Sequence, residues 1–474
     1  MKISTAVSIV LGVQAGSAAV IQTDVQKQPF SEAEALQYFR ENPYTLPKNA
    51  RIMLEAVTKN LPSNLNLRKR QSSEAAAYLG SFWNVITSLG KKKPVASVAE
   101  VFAEPSKRYP AEFKAQHKKI RYGPYRIPPT SEKNVEYYML QATGMTNTLQ
   151  FGARKPCGQD NCMILDIKAG MEYEDGKAVP NNVTGAWLHH VVLVNMGKEV
   201  RDATCDKDSE HIFESGNERS DLKFYSPESG MKSAYHVRKS DSFALNTELM
   251  NMEDKEKWVW VTLDYNYIDG FDPEWKEGKI VWISVGPDRC TGKDTNNPFG
   301  PTNLTATQQP MRDVFEEYSM PWKTPKDGFL LGANSHLHDG GVETQVYLDN
   351  KAVCTSQASY SKDAPAGMSS PGGSMASPSS EMPGGHSHSK RQMGPPAAGH
   401  GMGGEHIAHQ THCAFDKPVP LKSGDSMYIK CNYDFRAHAG MKNAKGELDE
   451  VMAIAGTLVA FDYDYWQSRN GTRR

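Results

Sequence analysis

Within Gly332-Ala-Asn-Ser-His336-Leu-His338-Asp-Gly-Gly341 two imidazoles stand one residue apart. The flanking runs, Gly328-Phe-Leu-Leu-Gly332 and Val342-Glu-Thr-Gln-Val-Tyr-Leu348, read as strands. Alternate residues of a strand share a face, so His336 and His338 are able to converge on one metal ion. The other reading is a pair of surface histidines at a strand end. A second pair, His189-His190, heads the apolar run Val191-Val-Leu-Val-Asn195. Strand neighbours point to opposite faces, so both reach one metal only if the chain bulges or twists there. Otherwise one ring enters the core and the other is solvated.

A third group of donors lies in residues 361–410, a Gly-, Pro- and Ser-rich insert that has no means of burying a core. It carries Met368, Met375, Met382, Met393 and Met402, with His386, His388, His400, His406 and His409. Thioethers and imidazoles are soft to borderline ligands suited to copper, so the insert reads as a copper-capturing segment.

The elements that must position these groups follow from the rest of the chain. At 474 residues it exceeds one ordinary core, and two folded units are expected. A formal charge of −1 argues against nucleic acid, and no apolar run reaches membrane-spanning length. Residues 1–19 read as a secretory signal, with Lys2 before a short apolar centre and Gly16-Ser-Ala-Ala19 at the exit. Residues 20–70 read as a pro-segment ending at the dibasic Lys69-Arg70, and Lys390-Arg391 is a second processing candidate. Residues 71–118 form a short helical lead. Beyond it, short runs rich in Val, Tyr, Thr and Trp predict a mainly β fold of two antiparallel, jelly-roll-like sandwiches. Their expected limits are 119–300 and 328–466, with a linker at 301–327 and a polar tail at 467–474.

A secreted, extracellular chain gives meaning to glycosylation sequons at Asn182, Asn303 and Asn470. Seven cysteines imply disulfides with one thiol over. Sequence alone does not fix connectivity; the pairings expected are Cys157–Cys162, Cys205–Cys290 and Cys354–Cys413, leaving Cys431.

The order His189-His190, then His336-x-His338, then Met452 after Asp449-Glu450 resembles the type II copper, ascorbate-dependent monooxygenases, the peptidylglycine α-hydroxylating and dopamine β-monooxygenase relatives. The resemblance implies two domains with one copper each. His189 and His190 would serve the first, and His336, His338 and Met452 the second, where oxygen binds. Two imidazoles and a thioether favour Cu(I) over hard ions, and three protein ligands leave a position open. The first site's third histidine is missing: Asp264, Tyr265 and Asn266 stand on the strand expected to carry it, with His211 and His236 as substitutes. His438 is a candidate to add to or replace Met452. Asn334 and Gly456 replace an Arg and a substrate-holding Tyr of the amidating enzyme, which argues against peptide amidation.

The motifs Ser335-His-Leu-His-Asp-Gly-Gly341, Lys351-Ala-Val-Cys-Thr-Ser356, Phe213-Glu-Ser-Gly-Asn-Glu218 and Val451-Met-Ala453 also resemble plant stress-up-regulated nodulin-like secreted proteins. That family implies shared architecture more than shared chemistry. The functional expectation is a secreted copper protein activating oxygen on a small-molecule substrate, with an external reductant. The alternatives are a non-catalytic extracellular copper-capturing protein and a structural surface glycoprotein. Zinc is the alternative metal. Substrate and oligomeric state are not legible.

Overall fold

A computed structural model describes residues 93–285, 313–360 and 406–462, with short gaps inside these spans, and Gly80. The signal, the pro-segment, most of the insert, all three sequons and the tail lie outside the described residues, as do the helical pieces apart from Gly80.

The first run of strands comprises β1 (Glu104–Pro105), β2 (Gln116–Ile127), β3 (Met145–Ala153), β4 (Cys162–Glu172), β5 (Ala186–Asn195), β6 (Glu210–Gly216), β7 (Asp221–Lys223), β8 (Ser233–Val237), β9 (Phe243–Asn251), β10 (Lys257–Asp269) and β11 (Lys276–Ser284). The second comprises β12 (Val314–Tyr318), β13 (Trp322–Lys323), β14 (Gly328–Leu337), β15 (Gly341–Leu348), β16 (Lys351–Tyr360), β17 (Ile407–Gln410), β18 (Cys413–Leu421), β19 (Ser426–Asp434) and β20 (Ala453–Phe461). β1 and the start of β2 lie in the stretch read as a helical lead. β12 and β13, which pair with β19, fall within 301–327. β17 pairs with β16, so the sheet resumes before residue 410.

These strands form three sheets. One is the four-stranded β3-β9-β5-β6, one the six-stranded β12-β19-β15-β16-β17 with β13 beside β19, and one a ten-stranded sheet in the order β1-β2-β10-β4-β8-β11-β20-β14-β18, with β7 on β4. In the last, β11 from the first half of the chain is joined through β20 to β14 from the second.

The join explains the apolar run Ala453-Ile-Ala-Gly-Thr-Leu-Val-Ala-Phe461, since a strand covered on both faces has no polar side to show. Alternation then sorts its residues. Met452, Ile454, Leu458 and Ala460 enter one core with the residues of β5 and β9, while Val451, Ala453, Val459 and Phe461 enter a second with those of β15 and β19. β11 divides likewise, Ile280 and Trp282 to the first core, Val281 and Ile283 to the second. One layer of β11, β20 and β14 backs both cores.

Cys157 is bonded to Cys162 and Cys354 to Cys413. Cys205 is disulfide-bonded, and its expected partner Cys290 lies outside the described residues. Cys431 is a buried free thiol, and burial pushes its pKa up.

β14 shifts register against both β18 and β20 between Leu330 and Gly332. A Cβ at Gly332 would lie 2.5 Å from the Cys413 carbonyl oxygen, a backbone atom that has no rotamer to escape into. Gly332→Val is expected to cost about 1–3 kcal/mol, the usual penalty of overpacking. Denaturant midpoints check it; an unchanged midpoint would show that the shared layer tolerates a side chain there.

Candidate metal centre

β5 pairs with β9 in a register that shifts between Leu188 and His190, the irregularity that two adjacent histidines need in order to share a face. The His189 and His190 ring centroids lie 4.0 Å apart. Facing them across the first core is the end of β14. His336 pairs with Ile454, and the His338 N–H donates to the Met452 carbonyl at 3.1 Å, so β20 fixes both rings. Centroid distances are 4.8 Å for His190–His336 and 5.5 Å for His189–His338. One ring nitrogen from each of His189, His190 and His338 lies within 4.8 Å of the others. The two histidine pairs, which the resemblance assigned to separate coppers, therefore meet in one buried cluster. The reason is the shared layer, which places the end of β14 against β5.

Carboxylates hold the outer nitrogens. His190 Nδ1 lies 2.7 Å from Glu248 Oε2, and the other oxygen of Glu248 accepts from Asn147 Nδ2 at 2.6 Å. His336 Nδ1 lies 3.4 Å from Glu218 Oε2, and the Gly216 N–H donates to Glu218 Oε1 at 2.6 Å. A Cβ at Gly216 would sit 2.9 Å from His336 Cε1, so this close approach of the ring requires glycine. A proton on Nδ1 of each ring would point at its carboxylate and leave the Nε2 atoms of His190 and His336, 3.1 Å apart, as facing lone pairs. Two lone pairs at that distance repel unless a proton lies between them or a cation is shared. Two nitrogens each about 2 Å from one ion stand roughly 3.3 Å apart in a tetrahedral shell, so the separation fits a metal.

Burial, with the neighbouring imidazoles adding to it, pushes the His189 and His190 pKa values well below the usual histidine range, which keeps both rings neutral and able to donate to a metal. Burial alone would raise the Glu218 carboxyl; the His336 ring and two backbone N–H groups outweigh it and hold the carboxyl low.

A cleft of about 440 Å³, counting the part open to solvent, leads to the cluster. Trp187, Met250, Met252, Met441, Leu337 and Ile407 line it, with His189, His336, His338, Asn217, Glu218, Asp339 and His406. His406, read from sequence as part of the capturing insert, sits at this mouth. Its Nδ1 lies 2.5 Å from Asp339 Oδ2, and its ring meets Trp187 edge-on at 4.9 Å. Glu248, Glu218 and Trp187 had no local signature beyond neighbouring a histidine or a strand.

The secondary candidates stand elsewhere. His236 Nδ1 lies 2.5 Å from Glu277 Oε2, inside a buried group with Lys279 and Glu210. His211 faces Asp202 at 3.2 Å and the Trp282 ring. His438 stacks on Tyr360 at 3.6 Å. Each ring thus has a carboxylate or an aromatic partner outside the cluster. Met452 is buried in the first core opposite His338, and antiparallel partners share a face. Gly456 lies under the Glu214 carboxylate, which would have to shift to admit a Cβ there.

The chain is 26% identical over 341 residues, 72% of its length and 71% of the relative's, to "Probable copper-dependent oxygenase M1" of Phoma sp.. It is 24% identical over 290 residues, 61% of its length and 76% of the relative's, to "Probable copper-dependent oxygenase clz3" of Cochliobolus lunatus. These matches support a distant copper-oxygenase relationship. No family model matches, and the nodulin-like resemblance gains no support. Among solved structures, PNGase F, a glycosylasparaginase from Flavobacterium meningosepticum, aligns over 73% of this chain and 95% of its own at 10% identity, with a TM-score of 0.29.

Depressed histidine pKa values set the pH dependence of the metal-free protein. Above the ordinary value of 6.5 both states hold these rings neutral. Below it the unfolded chain takes up protons that the native rings refuse, so stability falls with pH. A His189→Gln/His190→Gln variant is expected to flatten that fall between about pH 7.5 and about pH 5.5. Urea midpoints read it, and an unaltered slope would contradict neutral native rings.

Proposed function

We propose that this protein is a secreted copper-dependent oxygenase in which His189, His190, His336 and His338 hold one copper. The observation that carries the reading is the 3.1 Å approach of the His190 and His336 Nε2 atoms, each ring backed by a carboxylate. Carboxylate-backed histidines are the usual surroundings of a metal, because the outer acceptor fixes the tautomer and raises ligand basicity. The relatives named as probable copper-dependent oxygenases support copper as the metal. Met452, opposite His338 on the same face, is the thioether assigned to the set, and a soft donor there favours the reduced ion. Two disulfides suit the oxidising exterior that the leader implies.

Bound copper supplies oxygen activation: one oxygen atom of O2 enters a C–H bond, and the other leaves as water with two electrons and two protons from an organic reductant. The chain's own residues prepare for this. Glu248 and Glu218 keep the Nδ1 protons in place and aim the Nε2 lone pairs inward. The shared layer and the cores on either side exclude water from the rings. The open cleft brings the substrate to the one side where ring atoms are reachable.

Metal competition against a calibrated chelator tests the assignment. His190→Ala is expected to abolish the tightest copper site, and Glu248→Gln to weaken it by about 10- to 100-fold. His236→Gln is expected to leave it intact. Reductant-driven oxygen uptake by the copper-loaded protein should exceed that of His190→Ala. Equal copper affinity in His190→Ala, or equal oxygen uptake, would overturn the proposal.

A further inference from the structure

We infer that the cleft selects a neutral, apolar, flexible small molecule, such as one bearing an aliphatic chain, and rejects carboxylates. The inference rests on the oxygenase reading, whose substrate class it names. Trp187, Met250, Met252, Met441, Leu337 and Ile407 supply the apolar part of the wall. Three methionines in one wall suit a substrate without fixed shape, because an unbranched thioether repacks around irregular apolar surface. The indole of Trp187 is held against the His406 ring at 4.9 Å, giving the wall one rigid aromatic face.

Charge decides the rest. No Lys or Arg lines the cleft among the described residues, and Arg219, next in the chain to Glu218, is not among the lining groups. The charged side chains that do line it are acids, and both are engaged. Glu218 takes the Gly216 N–H and faces His336, while Asp339 takes the Ile407 N–H and faces His406. Along the cleft wall a substrate carboxylate would meet no Lys or Arg and would pass two acids, losing hydration without compensation from the lining side chains. An alkyl chain loses nothing polar, and each methylene it buries adds affinity. The carbon that reacts is then the one carried past the thioethers to the histidines.

The test uses the full-length, metal-free protein with 13C-methyl-labelled methionine, titrated with 1-octanol, 1-decanol and decanoate. Single Met→Leu variants assign the Met250, Met252 and Met441 methyl signals. The expected result is that all three signals shift with the alcohols. 1-Decanol should bind about 10-fold more tightly than 1-octanol, from two further buried methylenes. Decanoate should bind at least about 10-fold more weakly than 1-decanol. Met252→Lys should reverse that preference. Equal binding of acid and alcohol by the wild type, or methionine signals that neither alcohol moves, would overturn the inference. Copper titration of the same sample is read separately, so loss of the metal with alcohol binding intact would defeat the oxygenase reading alone.

Discussion

Two imidazole nitrogens facing each other at 3.1 Å in a dry interior impose a condition that the surrounding strands must satisfy. The rings come from positions 146 residues apart, so no local preference brings them together. Three devices do. The bulge in β5 turns His189 and His190 to a common side, the pairing of β14 with β20 fixes His336 and His338, and the first core clamps the two elements face to face. Loosening any one of them would let the lone pairs separate, and with them the geometry that a metal would use.

The shared layer makes this possible. A sandwich with its own two sheets would bury its histidines in its own interior, and two such units would keep their metals apart. Here β11, β20 and β14 are apolar on both faces, so each core borrows the same strands as a wall. The price is sequence freedom: β20 does not tolerate the polar alternation of a surface strand. In return, residues of the second half of the chain reach into the first core. The histidines that the monooxygenase resemblance divides between two coppers thus stand in one cluster drawn from both halves of the chain.

Much of this was legible in the chain and some was not. The i, i+2 spacing of His336 and His338 put them on one face, and the adjacency of His189 and His190 required a bulge that the structure contains. That β20 is buried on both faces, between two cores, was not read from its apolar run. The convergence itself was not legible, because register between distant strands depends on the whole set of pairings. For the same reason Glu248, 58 residues from His190, and Glu218, 118 residues from His336, carried no signal. His406 was misassigned because its composition matches the low-complexity insert. Only the fold shows that the insert has ended where Ile407 donates its N–H to Asp339.

The same residue types occur in a second buried group, which differs from the histidine cluster in how its acids and rings are arranged. His236, Glu277, Lys279 and Glu210 are all buried, with His236 bound to Glu277 at 2.5 Å and Lys279 bridging both glutamates. Burial alone would raise the Glu277 carboxyl, but His236 and Lys279 outweigh it and bring the pKa down to about 2. Acids and bases there pair with one another inside the group. In the histidine cluster Glu248 and Glu218 lie against the Nδ1 side of His190 and His336. Glu248 and Glu218 take the outward protons, and the inward side presents imidazole nitrogens with no acid among them. A histidine paired with a carboxylate is thus not by itself a metal signal. What distinguishes the two groups is whether the nitrogens beyond the carboxylates converge on one another, and here they do so only where both halves of the chain meet.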